Sequence, residues 1–132
     1  MTTPAGSGYG PNRLVAELHA LGHSRAAQVH AENQTFVVIP EYEVQVGRFQ
    51  GRIVDLGLPA VPDFPKSVGA SIHVRAEPQL LEYEHRPPQR NITKSALGTD
   101  WRYWSHNFNW AGERERSAAR LMHQVNTIFD RA

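Results

Sequence analysis

The residues best suited to chemistry lie near the aromatic segment 99–110, where Ser105 is followed directly by His106. A serine hydroxyl can hold an acyl group as an oxyester, but at neutral pH it needs a neighbouring base to take its proton. His106 could serve as that base only in a turn, because adjacent side chains of a strand point to opposite faces. The side-chain amides of Asn91 and Asn107 could stabilise a developing oxyanion. These four residues form the predicted catalytic set.

A structural interpretation of the same serine competes with the chemical one. A serine beside two tryptophans is more often a loop or cap hydroxyl bonded to the backbone. Thr93 and Ser95 are weaker alternatives for the hydroxyl that reacts. Trp101, Tyr103 and Trp104 form the predicted binding surface for a partner. The alternative for these aromatic residues is that they fill the core between a sheet and the last helix.

Composition narrows the classes of function. The chain has 132 residues, 14 basic and 13 acidic side chains and no cysteine, so thiolate metal sites, disulfides and cysteine nucleophiles are excluded. The balanced charge predicts neither a nucleic-acid nor a membrane partner. Seven histidines are present without a metal-binding spacing, so no metal site and no cofactor are predicted. The start of the chain lacks the features of a signal peptide, and a cytoplasmic location is expected.

Hydrophobic spacing predicts the elements that position these residues. Residues 1–10 are small and polar and are interpreted as a flexible leader, and residues 11–132 as one domain. A first helix is predicted over residues 12–21, with Asn12 as N-cap and Gly22 as the stop. Alternating apolar residues predict strands, listed by range: 35–39, 42–46, 52–58 and 70–74, with a weaker one at 26–30. These strands leave no room for crossover helices, so an antiparallel meander of four strands is expected.

The second half of the chain is predicted to contain little regular structure before its final helix. Residues 77–100 hold several prolines and are expected to be long and irregular. Apolar residues at helical spacing then predict a helix over residues 113–131, with Glu113 and Glu115 favoured by the dipole at its start. The predicted fold class is α+β: an N-terminal helix, a four-stranded antiparallel meander, a Pro-rich irregular segment and a C-terminal helix.

Two stretches of the sequence resemble a known superfamily. Residues 51–74, with closely spaced prolines between two strands, resemble the sheet and turn of ubiquitin-conjugating (UBC-like) enzymes. Residues 99–110, TDWRYWSHNFNW, resemble the Trp-x-x-Trp-Ser-x-His signature of the prokaryotic family E branch, although His106 comes one position early. The segment that ends at Asn91 resembles that superfamily's His-Pro-Asn region only loosely. The resemblance implies a UBC-like fold.

The resemblance also implies a function and two partners. UBC-like proteins receive a ubiquitin-like modifier from an adenylating activating enzyme and pass it to an amine, usually through a cysteine. Since this chain has no cysteine, Ser105 is the expected carrier in a bacterial ubiquitin-like modification pathway, of the kind associated with antiviral defence. The alternative is a catalytically inactive adaptor that binds the modifier or its activating enzyme. A third possibility is an unrelated α+β binding domain, for which a four-stranded meander flanked by helices would not be expected.

Overall fold

The computed structural model describes residues 8–85 and 91–132, which form two helices and one antiparallel sheet. The α+β class is therefore confirmed. The elements in chain order are α1 (Pro11–Ala20), β1 (Ala27–Ala31), β2 (Gln34–Glu43), β3 (Ile53–Pro59), β4 (Ile72–Arg75), β5 (Glu84–His85), β6 (Asn91–Ser95), β7 (Gly98–Trp104) and α2 (Ala118–Arg131). Neither helix of this described part is long and apolar enough to cross a membrane.

Helix α1 begins one residue earlier than predicted, and its N-cap lies two residues earlier. Its N-cap is Gly10 rather than Asn12, and Pro11 occupies the first turn, where its missing N–H is not needed. Gly10 has φ +86°, a Cβ there would lie 2.9 Å from the carbonyl oxygen of Pro62, and its N–H donates to the Phe64 carbonyl at 2.8 Å. Gly22, with φ +101°, follows the C-cap as predicted. Residues 1–7 of the predicted leader lie outside the described residues.

Strands β1 to β4 are successive antiparallel neighbours, as the meander prediction requires. The strand predicted at residues 35–39 and the first two residues of the one predicted at 42–46 form one continuous strand, β2, and residues 44–46 lie beyond its end. An irregularity between Ile39 and Tyr42 shifts the pairing with β3. Glu41 has φ +53° there, and its N–H donates to the Asp55 carboxylate at 3.0 Å. A bulge of this kind lets one strand continue past a proline without leaving the sheet.

The prediction of four strands is wrong, because the chain returns to the sheet after β4. The described part of residues 77–100, expected to be irregular, contains β5, β6 and the first residues of β7. Within residues 8–85 and 91–132 the sheet has seven strands, in the order β1-β2-β3-β4-β7-β6-β5. β6 escaped detection because its sequence, NITKS, has one apolar residue, Ile92, which is 2% exposed. Pairing with β7, rather than apolar alternation, makes it a strand.

Both helices pack on one face of this sheet. Their buried residues join a single cluster with alternate strand residues, among them Leu56, Ile72 and Trp104. Helix α2 begins at Ala118, five residues later than predicted, and Ser117 caps it by accepting the Arg120 N–H at 3.3 Å. No acidic residue lies in the first turn of α2, so Glu113 and Glu115 do not have the predicted role.

The acidic group at the start of α2 comes instead from α1. A carboxylate oxygen of Glu17 accepts the backbone N–H of Ala118 at 2.7 Å, across 101 residues of sequence. Its other oxygen accepts from Arg13, one turn earlier in α1, at 2.6 Å. The Glu17 side chain is 14% exposed, so water competes weakly for these bonds. One carboxylate thus complements the positive end of the α2 dipole and joins the two helices.

Replacing Glu17 by glutamine should destabilise the protein. The amide keeps the size of the side chain and one acceptor oxygen, but it loses the charge that strengthens both bonds. We expect the free energy of unfolding to fall by about 1–2 kcal/mol in urea denaturation. Glu43→Gln, at an exposed position on β2, is the matched control and should change stability little. Equal effects of the two substitutions would contradict the role assigned to Glu17.

Candidate functional site

Ser105 and Asn91 meet where the ladder between β6 and β7 ends. Ser105 follows the last residue of β7, and its N–H donates to the Asn91 carbonyl at 3.0 Å. The Asn91 N–H in turn donates to the Ser105 hydroxyl oxygen at 2.8 Å. Both residues are half-buried. The structure therefore brings together two of the four residues predicted to be catalytic, because the register that pairs Ile92 with Trp104 places them opposite each other.

The side-chain amide of Asn91 is held in an unusual environment. Its Oδ1 is buried and has no hydrogen-bond partner among the residues that the structure describes. A buried polar atom without a partner is costly, so such atoms are uncommon and often lie near functional groups. The rest of the segment expected to resemble the His-Pro-Asn region, residues 87–90, lies outside the described residues.

The other two predicted catalytic residues lie beyond this pair along the chain. The His106 carbonyl accepts the Ser71 N–H at 2.8 Å, and its ring meets the Phe108 ring edge-on at 5.0 Å. Asn107 is exposed. Neighbouring Trp110 anchors this segment, because its indole N–H donates to the Pro65 carbonyl at 2.7 Å inside the protein. The segment is therefore fixed against the loop between β3 and β4.

The three aromatic residues of the predicted binding surface lie on β7 and alternate between its faces. Trp104 is fully buried on the helical side, where it meets Phe129 edge-on at 5.5 Å. Trp101 is 5% exposed on the opposite face, beneath the Arg75 guanidinium at 4.8 Å. Tyr103 shares that face and is half-buried. Trp104 thus has the packing role of the alternative interpretation, whereas Trp101 is buried on the face away from the helices.

A second pairing of serine with histidine lies on the face opposite the helices, here called the outer face. His73 Nδ1 lies 2.7 Å from Ser95 Oγ, which also accepts the Leu97 N–H at 3.0 Å. Gly57 makes room for this arrangement, because a Cβ there would lie 2.6 Å from Leu97 Cδ1. The contact between His73 and Ser95 ties the turn between β6 and β7 to β4.

The surroundings of His73 make it a structural rather than a chemical partner of Ser95. Its ring is 4% exposed and lies edge-on to Phe36 at 4.9 Å and to Tyr103 at 5.3 Å. Burial lowers the pKa of His73 to about 4, so the imidazole is neutral and weakly basic at pH 7. Sequence reasoning missed this pair, because the alternation of Ile72 and Val74 predicts a strand but does not show what the face that carries His73 contacts. In the described part, no three metal-binding side chains converge.

The stability of the protein should fall as His73 acquires a proton. The unfolded chain has an ordinary histidine pKa of 6.5 and binds this proton more readily than the folded protein. Stability contributed by neutral His73 is therefore complete above pH 6.5 and is lost progressively as the pH falls toward 4. We expect a loss of about 3 kcal/mol over this interval, measured by urea denaturation at each pH.

His73→Gln should remove most of that pH dependence, whereas His30→Gln, at an exposed position on β1, should retain it. His23 adds a smaller contribution in all three proteins, because burial also lowers its pKa. Identical slopes of stability against pH in the native protein and His73→Gln would refute this assignment.

No protein-family model, no curated protein and no solved structure matches the chain. The function is therefore argued from the residues themselves, and the candidate site is the Ser105 hydroxyl with the Asn91 N–H that donates to it.

Proposed function

We propose that the protein is a UBC-like carrier in a bacterial ubiquitin-like modification pathway and that it holds the modifier on Ser105 as an oxyester. The observation that carries the proposal is the hydrogen bond of 2.8 Å from the Asn91 N–H to Ser105 Oγ. A donor aimed at this oxygen stabilises negative charge on it. The expected partners are the modifier and its adenylating activating enzyme.

Both steps of the proposed reaction place negative charge on that oxygen. In loading, Ser105 Oγ attacks the carbonyl carbon of the modifier's acyl adenylate, the bond from that carbon to the phosphate oxygen breaks, and the departing phosphate of AMP acts as the neighbouring base that takes the hydroxyl proton. In transfer, the amine of a target attacks the ester carbonyl, the bond from that carbon to Oγ breaks, and Oγ regains a proton from the amine. The Asn91 N–H supports Oγ as nucleophile and as leaving group, because it needs no rearrangement to reach it.

A second candidate function is that of a non-covalent adaptor that binds the modifier or the activating enzyme. The observation that favours it is the place of Ser105 in the sheet, where its hydroxyl accepts a ladder N–H beyond the end of β7. A hydroxyl with this role stabilises the strand end whether or not it reacts. The two candidates differ in whether an acyl adduct forms.

Loading of Ser105 can be measured by intact mass spectrometry. The protein is incubated with ATP and with an activating enzyme and a modifier encoded by neighbouring genes. We expect an adduct with the mass of the modifier less one water, cleaved by hydroxylamine. Ser105→Ala should abolish the adduct, and Ser95→Ala should retain it, since the proposed carrier is untouched. Ser105→Cys should load as a thioester that a reducing thiol cleaves, and the chain has no other cysteine.

The results of this experiment distinguish the carrier function from the adaptor function. An adduct that persists in Ser105→Ala would exclude Ser105 as the carrier. Native protein that forms no adduct but binds either partner in calorimetry would support the adaptor. A protein that neither loads nor binds, or a gene neighbourhood without such partners, would contradict both proposals.

A further inference from the structure

Strand β1 lies at one edge of the sheet and lacks the features that normally protect an edge. Its sequence, AQVHA, contains no lysine, acidic residue, proline or glycine, and four of its five residues are exposed. Val29 at its centre is 38% exposed. Proteins usually protect edge strands with charges, prolines, bulges or shortness, because unpaired backbone groups recruit other strands. The opposite edge, β5, is two residues long and conforms to that pattern.

The turn after β1 determines which backbone groups point away from the sheet. β1 and β2 are joined by two residues, Glu32 and Asn33, with φ +49° and +62°. In a turn of this kind the flanking pair, Ala31 and Gln34, is hydrogen-bonded. Bonded and non-bonded pairs alternate along an antiparallel ladder, so Ala27, Val29 and Ala31 bond to β2. The N–H and C=O groups of the intervening residues, Gln28 and His30, therefore point outward.

We propose that two copies of this chain associate by pairing their β1 strands antiparallel, with a twofold axis at Val29. Gln28 of each copy then lies opposite His30 of the other, and each such pair exchanges two backbone hydrogen bonds. This register pairs every outward group of Gln28 and His30 in both copies. Val29 faces Val29 across the axis as a non-hydrogen-bonded pair, the arrangement in which side chains lie closest. The result is one continuous sheet across the dimer.

The side chains beside the axis are compatible with this pairing. Ala27 meets Ala31 of the second copy, so small residues face each other at both ends. Arg25 precedes β1 and Glu32 follows it. Antiparallel pairing places Arg25 of one copy opposite the residue next to Glu32 of the other copy, at each end of the interface. Opposite charges at both ends of the joint favour this orientation, whereas parallel pairing would place like charges together.

Helix α1 extends the surface that would be buried. It lies beside β1, since Gln28 Nε2 donates to Asn12 Oδ1 at 2.5 Å and the His19 ring nitrogen Nε2 lies 2.8 Å from the Ala26 carbonyl oxygen. Because opposed residues of an antiparallel pair share a face, the α1 helices of both copies lie on the same side of the joined sheet. Contact between the two α1 helices adds to the area buried in the interface, which would be small if only the two five-residue strands met.

Sedimentation equilibrium from micromolar to millimolar concentration tests the association. The native protein should reversibly form dimers and no larger species, because each copy has one such edge. Val29→Lys places like charges opposite each other at the axis and should raise the dissociation constant roughly tenfold. Thr93→Lys is the matched control on β6, where the residue is exposed on the same face away from this edge. It should leave the constant unchanged.

Crosslinking tests the position of the axis. The native chain has no cysteine, so Val29→Cys introduces one thiol per copy. Non-hydrogen-bonded partners have Cα atoms about 4.5 Å apart, within the range that a disulfide spans. Under mild oxidation Val29→Cys should crosslink much faster than Thr93→Cys. Equal rates would overturn the proposal.

Amide hydrogen exchange tests the register. The amide of Val29 should be protected at every concentration, because it bonds to β2. The amides of Gln28 and His30 should gain protection as the concentration rises. A protein that remains monomeric at every concentration would overturn the proposal, and the β1 edge would then remain open to a strand of another protein. A dimer that Val29→Lys and Thr93→Lys weaken equally would also overturn it.

Discussion

The pairing of β7 with β4 is the constraint on which the rest of the structure depends. Its register places Trp104 opposite Ile72 and Tyr103 opposite His73. Because β7 occupies the place beside β4, its hairpin partner β6 must lie farther out, and the turn between them reaches across to β3. The register between β6 and β7, which pairs Ile92 with Trp104, brings the residue after β7 to the start of β6. The buried histidine and the proposed site therefore lie on the two sides of the same strand, β7.

The elements that could be predicted are those whose signal is local. Both helices follow from apolar residues at helical spacing, and β3 and β4 from apolar alternation. β5 and β6 could not be predicted in this way, because their hydrogen bonds are made to residues distant in sequence and their composition is mostly polar. The start of α2 was predicted five residues too early for a related reason. The carboxylate that accepts an N–H of its first turn belongs to Glu17 of α1, which is distant in sequence.

The candidate site was predictable in its residue types and not in its geometry. The resemblance selected Ser105 and Asn91, but their contact depends on strand register, which is not visible in either segment alone. The pairing of His73 with Ser95 escaped notice because alternation in a strand does not show whether its second face is covered. Part of the outer face is shielded from water, since Leu97, in the turn between β6 and β7, lies over Gly57. A glycine in a strand indicates such a close approach and was the available signal.

The bond from Glu17 to the start of α2 also has a consequence for how the chain folds. The Glu17 carboxylate and the Ala118 N–H that it accepts are separated by 101 residues. The N-terminal end of α2 therefore lacks this acceptor until both helices have been synthesised and brought together. Closing so long a loop is entropically unfavourable until other contacts form, and contacts of this separation slow folding. A growing chain therefore carries the apolar face of its first four strands without α2 from the completion of β4 until the end of its synthesis, a stage at which exposed strands are prone to misassembly.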